Sequence, residues 1–243
     1  MADTSATAGQ AGSWNNFKAK DAGCDRWGAQ RLQLALVVRD LVLPQALDGT
    51  EVHAFVENGT LLGAHRGGRF IPHDDDFDFC LLHESPEAEA RRFTADVLLP
   101  RVQALLPAPY EARLVATYSD KIECFDPGPG FYTLPGPQYL GADYPFVICD
   151  LQTYHATTAG AAPGGVAGGS GTDKVYLANY RAKARPAQVY RYLASHVFPL
   201  GVIELEGEFF PAPRNVLGAL EGNYGSLAKG ALYNAETGKY EVP

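Results

Sequence analysis

Long apolar runs are missing from this chain. The best window, residues 32–47, is interrupted by Gln33, Arg39, Asp40 and Pro44, well short of the roughly 18 uninterrupted apolar residues of a membrane span. Met1 to Ser13 is made largely of Ala, Thr, Gly and Ser, without the basic and apolar regions of a secretory leader. Residues 1–24 therefore read as a flexible tail, and the expected compartment is the cytoplasm. Cations are also scarce: 20 Lys and Arg face 28 Asp and Glu, a formal charge of -8. That balance argues against a broad basic surface for nucleic acid or anionic membrane. Cysteine is limited to Cys24, Cys80, Cys124 and Cys149, with no Cys-x-x-Cys pair and no Cys/His cluster of the structural-zinc kind. Four reduced thiols are expected, with Cys80 and Cys149 as core fillers.

What is present is 46% apolar residues over 243 positions, enough for a sizeable core. Leu32, Leu36 and Leu43 recur at helical spacing within Asp25 to Leu47. Val52, Ala54 and Val56 alternate as in a strand that stops at Asn58-Gly59, and a helix is expected from Thr60. Ser85, Pro86 and Glu87 suit a helix start capped by Ser85, with Phe93, Val97 and Leu98 on its buried face. Arg113 to Tyr118 and Lys121 to Phe125 flank a predicted turn at Ser119-Asp120, and Phe146 to Tyr154 reads as a further strand. Asp126 to Pro145 and the Gly/Ala-rich stretch 157–172 read as loops. Pro186 to His196 and Pro213 to Glu221 have helical composition. Interleaved helices and strands give an α+β, or mixed α/β, class.

The chemistry concentrates in Asp74 to Leu81. Strand geometry sends Asp76 and Asp78 to one face and Phe77 and Phe79 to the other. Two carboxylates so placed repel, and a hard cation such as Mg²⁺ or Mn²⁺ resolves the conflict. The competing reading, a solvated acidic turn at Asp74, Asp75 and Asp76, does not explain an Asp inside an otherwise aromatic and aliphatic strand. An EF-hand is a weaker rival, because its glycine spacing and distal Glu are absent. Gly59-Thr60-Leu61-Leu62-Gly63 joins the predicted strand to the predicted helix, where backbone N–H groups approach a phosphate readily. Gly-x-x-x-Gly alone more often marks packing. Arg66 and Arg69 follow as candidate phosphate partners. Asp150, the one charge in Phe146 to Leu151, is the candidate third ligand, its alternative being a charge at a strand's solvent end.

The run Glu57-Asn58-Gly59-Thr60-Leu61-Leu62-Gly63-Ala64-His65-Arg66, followed by Phe70-Ile71-Pro72-His73-Asp74-Asp75-Asp76-Phe77-Asp78, resembles the signature of the LicD family, which includes the fukutin-related proteins. His73 stands where that family usually has Trp. Val147 to Leu151 is similar to the family's second acidic strand, and Phe198-Pro199-Leu200, Glu206-Gly207, Pro211 and Tyr224-Gly225 follow in the family's order. The resemblance implies a nucleotidyltransferase-like fold over 25–228, with a central mixed sheet flanked by helices, a helical C-terminal part and a tail at 229–243. It also implies transfer of a phosphorylated small alcohol, phosphocholine-like or alditol-phosphate-like, from a CDP-linked donor to a glycan or related hydroxyl acceptor. In that reading Asp76, Asp78 and Asp150 are catalytic and hold Mg²⁺ or Mn²⁺, with Asp74 a possible further ligand. Gly59, Thr60 and Arg66 would hold the phosphates. From the residues themselves Gly63 and Arg69 join them as candidates, and Lys121 is a further one, its alternative being a solvent-facing strand lysine. Alternatives are a nucleotidyltransferase acting on an NTP and a catalytically silent ligand-binding member of the fold.

Other candidates carry less. His65 and His73 read as hydrogen-bonding or surface residues. Tyr176, Tyr180, Tyr190 and Tyr192 lie among Lys174, Arg181, Lys183, Arg185 and Arg191, a mixture that suggests stacking on nucleic acid but is better explained by packing and snorkelling.

Overall fold

In the computed structural model, Cys24–Val37 (α1) continues through a π-helical turn at Val38–Val42 into Leu43–Ala46 (α2). Pro44 falls in the first turn of α2, where its missing N–H costs least. The structure describes residues 24–72, 74–115, 121–133, 143–158, 173–178, 190–228, 232–234 and 239–242. The expected turn at Ser119-Asp120, His73, and nearly all of the 157–172 loop lie outside them.

Val52–Val56 (β1) leads into Asn58–Gly67 (α3), and an extended acidic segment leads into Asp78–His83 (β2). Next come Glu87–Phe93 (α4), a π-helical turn at Thr94–Leu98, and Leu99–Leu105 (α5). Glu111–Val115 (β3), Lys121–Thr133 (β4) and Asp143–Thr158 (β5) complete a sheet ordered β1-β2-β5-β4-β3. β2 and β5 run parallel, while β1/β2, β4/β5 and β3/β4 are antiparallel, so the sheet is mixed. Lys174–Ala178 (β6) pairs with the far half of β5 and with Arg191–Leu193 (β7).

β2 is buried over its whole length. Such a strand cannot show apolar/polar alternation, and its sequence is near-continuously apolar after Asp78. Phe79 and Leu81 enter one core with α1, α2 and α5, and Cys80 and Leu82 enter a second with Phe55, Tyr154, Tyr176 and Tyr192. Tyr176 and Tyr192 are thus core residues, in keeping with the packing reading.

Several expectations are corrected. The helix after β1 starts at Asn58 rather than Thr60, and Asn58 takes φ 50°. Pro86, not Ser85, occupies the cap position of α4, without a side-chain cap. The described residues of the segment Asp126 to Pro145, 126–133 and 143–145, are strand: pairing slips at the Pro-Gly run and resumes at Phe131 opposite Pro145 and Tyr132 opposite Tyr144. A bulge absorbs the glycines and prolines there, with Gly130 at φ 90°. Among the described residues of Pro186 to His196, which begin at Tyr190, residues 191–193 form a strand and the helix Ala194–Val197 (α6) starts after it.

The C-terminal part is mostly strands, against the expectation of a helical one. Gly201–Leu205 (β8) and Glu208–Ala212 (β9) form a hairpin whose two loop residues, Glu206 and Gly207, have φ of 52° and 85°. Positive φ at both loop positions is what a two-residue hairpin turn requires. Val216–Tyr224 (α7) is the helix expected near Pro213 to Glu221, and Leu232–Asn234 (β10) pairs with Lys239–Glu241 (β11). Among the described residues no helix is long and apolar enough to cross a membrane.

The β8–β9 hairpin anchors the acidic segment from below. The Phe210 ring lies 5.1 Å from Phe77 and 6.2 Å from Phe79, with Phe70 6.0 Å from Phe77. Phe210→Ala is therefore expected to cost about 3–5 kcal/mol in chemical denaturation, the range for emptying a buried aromatic site. A loss under about 1 kcal/mol would show that the hairpin contributes little to this core.

Candidate metal centre

Strand pairing lines up one rung of charge across the sheet. Val56 is paired with Phe79, and the Glu57 N–H donates to the Asp78 carbonyl at 3.1 Å, so Glu57 follows opposite Asp78. Asp78 is in register with Asp150, Asp150 with Glu123, and Glu123 with Arg113. Directly paired residues present their side chains to the same face. Four carboxylates and one guanidinium therefore cross five strands in a row. Glu57, Asp78, Asp150 and Glu123 are all buried.

Asp76 joins the row from the extended segment before β2. The Phe77 N–H donates to the Ile148 carbonyl at 3.1 Å and the Asp150 N–H to the Phe77 carbonyl at 2.7 Å, extending the β2/β5 pairing backwards. Two residues before Asp78, Asp76 shares its face. Oxygens of Asp76, Asp78 and Asp150 lie within 4.8 Å of one another, and so do those of Asp74, Asp75 and Asp76. Either cluster could hold a metal ion.

The glycine spacing receives the acidic segment. A Cβ on Gly59 would stand 2.3 Å from Asp74 Oδ2, and one on Gly63 would stand 2.5 Å from the Arg69 carbonyl oxygen. One turn apart on α3, the two glycines let the segment lie against the helix. Thr60 Oγ1, fully buried, accepts the Asp78 N–H at 3.0 Å. Arg31 of α1, also fully buried, donates to the Phe146 carbonyl at 2.6 and 3.1 Å and to the Asp74 carbonyl at 3.1 Å. Tyr132 donates to Asp75 Oδ2 at 2.7 Å.

Compensation within the row is partial. Lys121 Nζ binds Asp150 Oδ2 and lies 3.2 Å from Glu123 Oε1, while Arg113 reaches Glu123 Oε2 at 2.7 Å. Glu57 Oε2 accepts from Tyr154 at 2.5 Å and from Tyr192 at 3.2 Å. Asp150 Oδ1 and Glu57 Oε1 are buried with no hydrogen-bond partner among the described residues. An orphaned buried carboxylate oxygen is costly, and a hard cation satisfies it; the donor set is the oxygen set Mg²⁺ or Mn²⁺ takes. The residues present fit such an ion.

Burial, with the charges of Asp76, Asp150, Glu57 and Asp74 added, holds the Asp78 carboxyl well above the usual range. Burial also raises Asp150 against the downward pull of Lys121. Glu57 is pushed up to about 8 by burial, opposed by its two phenols and reinforced by Asp150 and Asp76. Burial alone would lower Lys121, but Asp150 and Glu123 outweigh it and keep the ammonium well above the usual lysine range.

The structure thus brings together Asp76, Asp78, Asp150 and Lys121, with Gly59, Thr60 and Gly63 beside them as supports for the acidic segment. Arg66 and Arg69 are exposed, in the last turn of α3 and just beyond it, and His65 is exposed too. Glu57 beyond its place in the motif, and Glu123 and Arg31, escape sequence reading, as does the part Tyr154 and Tyr192 take in holding Glu57. A lone charge at the end of one apolar strand and inside another was the available signal for the two glutamates.

Residues 51–101 match the family model LicD, described as LicD/FKTN/FKRP, nucleotidyltransferase domain. That segment holds β1, α3 and the whole acidic run, while Lys121, Glu123 and Asp150 lie beyond it. Comparison with curated proteins gives no match.

A pH dependence follows from the raised carboxyls. A group whose folded pKa exceeds its unfolded value stabilises fully below the unfolded pKa and loses that contribution as pH rises through the folded one. For Glu57 the window runs from about 4.5 to about 8. His83, lowered to about 4 by burial, alters stability only below about pH 6.5. Between pH 6.5 and 8 the metal-free protein should therefore lose roughly 1.5–2 kcal/mol through Glu57. Thermal melts in EDTA should show Tm falling across that range, and saturating Mg²⁺ or Mn²⁺ should flatten the fall. A flat metal-free profile would contradict the assignment.

Proposed function

With residues 51–101 carrying the LicD/FKTN/FKRP nucleotidyltransferase domain, we propose that the protein is a metal-dependent phosphotransferase. It moves a phosphorylated small alcohol, phosphocholine-like or alditol-phosphate-like, from a CDP-linked donor to a hydroxyl of a glycan or related acceptor. The observation that carries this reading is the convergence of Asp76, Asp78 and Asp150 within 4.8 Å, with one buried Asp150 oxygen unpartnered among the described residues.

Asp76, Asp78 and Asp150 would hold Mg²⁺ or Mn²⁺, and Asp74, beside Asp76 in the second cluster, is a further candidate ligand. The ion supplies charge neutralisation for the donor diphosphate and the leaving nucleotide. The chain itself sets the geometry. Thr60 fixes the Asp78 backbone, Arg31 ties the Asp74 carbonyl to β5, and the close approach at Gly59 and Gly63 keeps the acidic segment on α3. Lys121 stays protonated between Asp150 and Glu123 and limits the negative charge the donor must approach. Arg66 and Arg69 are solvent-exposed cations available to the donor's phosphates.

In the reaction the acceptor hydroxyl oxygen forms a bond to the phosphorus bearing the alcohol. The bond from that phosphorus to the bridging oxygen breaks, and CMP leaves with the bonding electrons. The hydroxyl proton passes to a carboxylate of the cluster, for which Asp76, the half-buried one of the three, is the most accessible.

Product analysis with a panel of CDP-linked donors and NTPs tests the reading. CMP release dependent on acceptor and metal is expected, and Asp76→Asn or Asp78→Asn should lower it by more than about 100-fold with the fold retained. Pyrophosphate release from an NTP would replace the reading with nucleotidyl transfer. Neither product would mark a silent binding protein, and near-normal turnover in metal-free buffer would overturn the mechanism.

A further inference from the structure

Glu57 is a buried acid that the reaction as described does not use. Its side chain has no solvent exposure, and it stands at the end of the carboxylate row, opposite Asp78. One carboxylate oxygen is held by two phenols, Tyr154 at 2.5 Å and Tyr192 at 3.2 Å. The other, Oε1, is buried and has no partner among the described residues. Among the described residues no Lys or Arg forms an ion pair with it, in contrast to Glu123 at the other end of the row, which has Lys121 and Arg113. A fully buried carboxylate beside three others, with one oxygen left bare, is a costly arrangement unless something absent from the protein alone satisfies it.

We propose that Glu57 is a positioning residue of the cation centre, its Oε1 accepting a hydrogen bond from water bound to the cation that Asp76, Asp78 and Asp150 hold. The inference rests on the metal-centre reading above. Register sets Glu57 directly opposite Asp78 on the same face of the sheet, beside the group of Asp76, Asp78 and Asp150 whose oxygens share the mutual 4.8 Å reach and not within it. Its Coulombic influence reaches the same three groups: Asp76 and Asp150 raise Glu57, and Glu57 raises Asp78. Tyr154 and Tyr192 act one step further out, fixing the carboxylate so that the bare oxygen stays turned to the water. A hydrogen-bonded outer partner of this kind orders the water shell of a hard cation that keeps part of its hydration.

The test uses the full chain and Mn²⁺ alone as probe, with free Mn²⁺ read by electron paramagnetic resonance and stability by thermal melts with and without the ion. Wild type should bind Mn²⁺ and Asp78→Asn should not. Glu57→Gln should weaken binding about 10–100-fold. In EDTA above about pH 8, where the Glu57 carboxyl is charged, the same variant should melt at or above wild type, because it removes a buried charge while its amide oxygen still accepts the phenols. This opposite movement of metal affinity and metal-free stability is what a purely structural role would not produce. Tyr154→Phe, which keeps the carboxylate and removes the 2.5 Å hydrogen bond, should weaken Mn²⁺ binding severalfold and carries the test if Glu57→Gln does not fold. Wild-type Mn²⁺ affinity in the folded variants would overturn the proposal while leaving the metal centre standing. Absence of Mn²⁺ binding by wild type itself would overturn both.

Discussion

Repulsion among Glu57, Asp78, Asp150 and Glu123, paired side by side on four strands, is the constraint around which the rest of the molecule is arranged. Surface carboxylates in such a row would be screened by water. These are buried, so each must be answered by a cation, a hydrogen bond or a proton. The answers are graded along the row. Glu123 has Arg113 and Lys121, Asp150 has Lys121 on one oxygen, and Glu57 has two phenols on one oxygen. For Asp78, burial and the charges of its neighbours, Asp76 and Asp150 foremost, hold the carboxyl well above the usual range. The least compensated part of the row lies where Asp76 completes the cluster.

The scaffold keeps that unfavourable arrangement from relaxing. On the far face of β2 the rings of Phe70, Phe77, Phe79 and Phe210 form one contiguous aromatic cluster, so the acidic segment cannot lift without opening the core. On its outer side, the close approach at Gly59 and Gly63 and the buried Arg31 guanidinium fix the backbone. Packing energy spent on one face of β2 thus holds charge in place on the other, the usual relation between a rigid support and a preorganised ionic site.

Much of the site was legible because its signals are local. Alternation in Asp76-Phe77-Asp78-Phe79 shows two carboxylates on one face without any knowledge of the fold, and Asp150 stands out as a single charge in an apolar strand. Glu57 and Glu123 enter the row only through strand register, which depends on pairings far apart in sequence. Arg31 is 43 residues from the carbonyl it holds and looks like an ordinary helix-surface cation until α1 is laid across β5. The Gly-x-x-x-Gly spacing was ambiguous between phosphate binding and packing, and the approach of Asp74 and Arg69 supplies a packing reason. The Pro-Gly run after Asp126 reads as loop because its ladder breaks there and resumes only at Phe131, through pairing with residues 143–145 of β5 that local sequence does not reveal. The strand-rich C-terminal part departs from the helical expectation because Glu206-Gly207 turns a hairpin that composition alone does not reveal.

The central claim is that the carboxylate row exists to hold a divalent cation. Anomalous diffraction at the manganese edge, from crystals of the full chain equilibrated with Mn²⁺, addresses it most directly. The account predicts a single strong peak bounded by the carboxylates of Asp76, Asp78 and Asp150. A Mn²⁺-saturated crystal with no peak there, and with Lys121 alone answering Asp150, would contradict it.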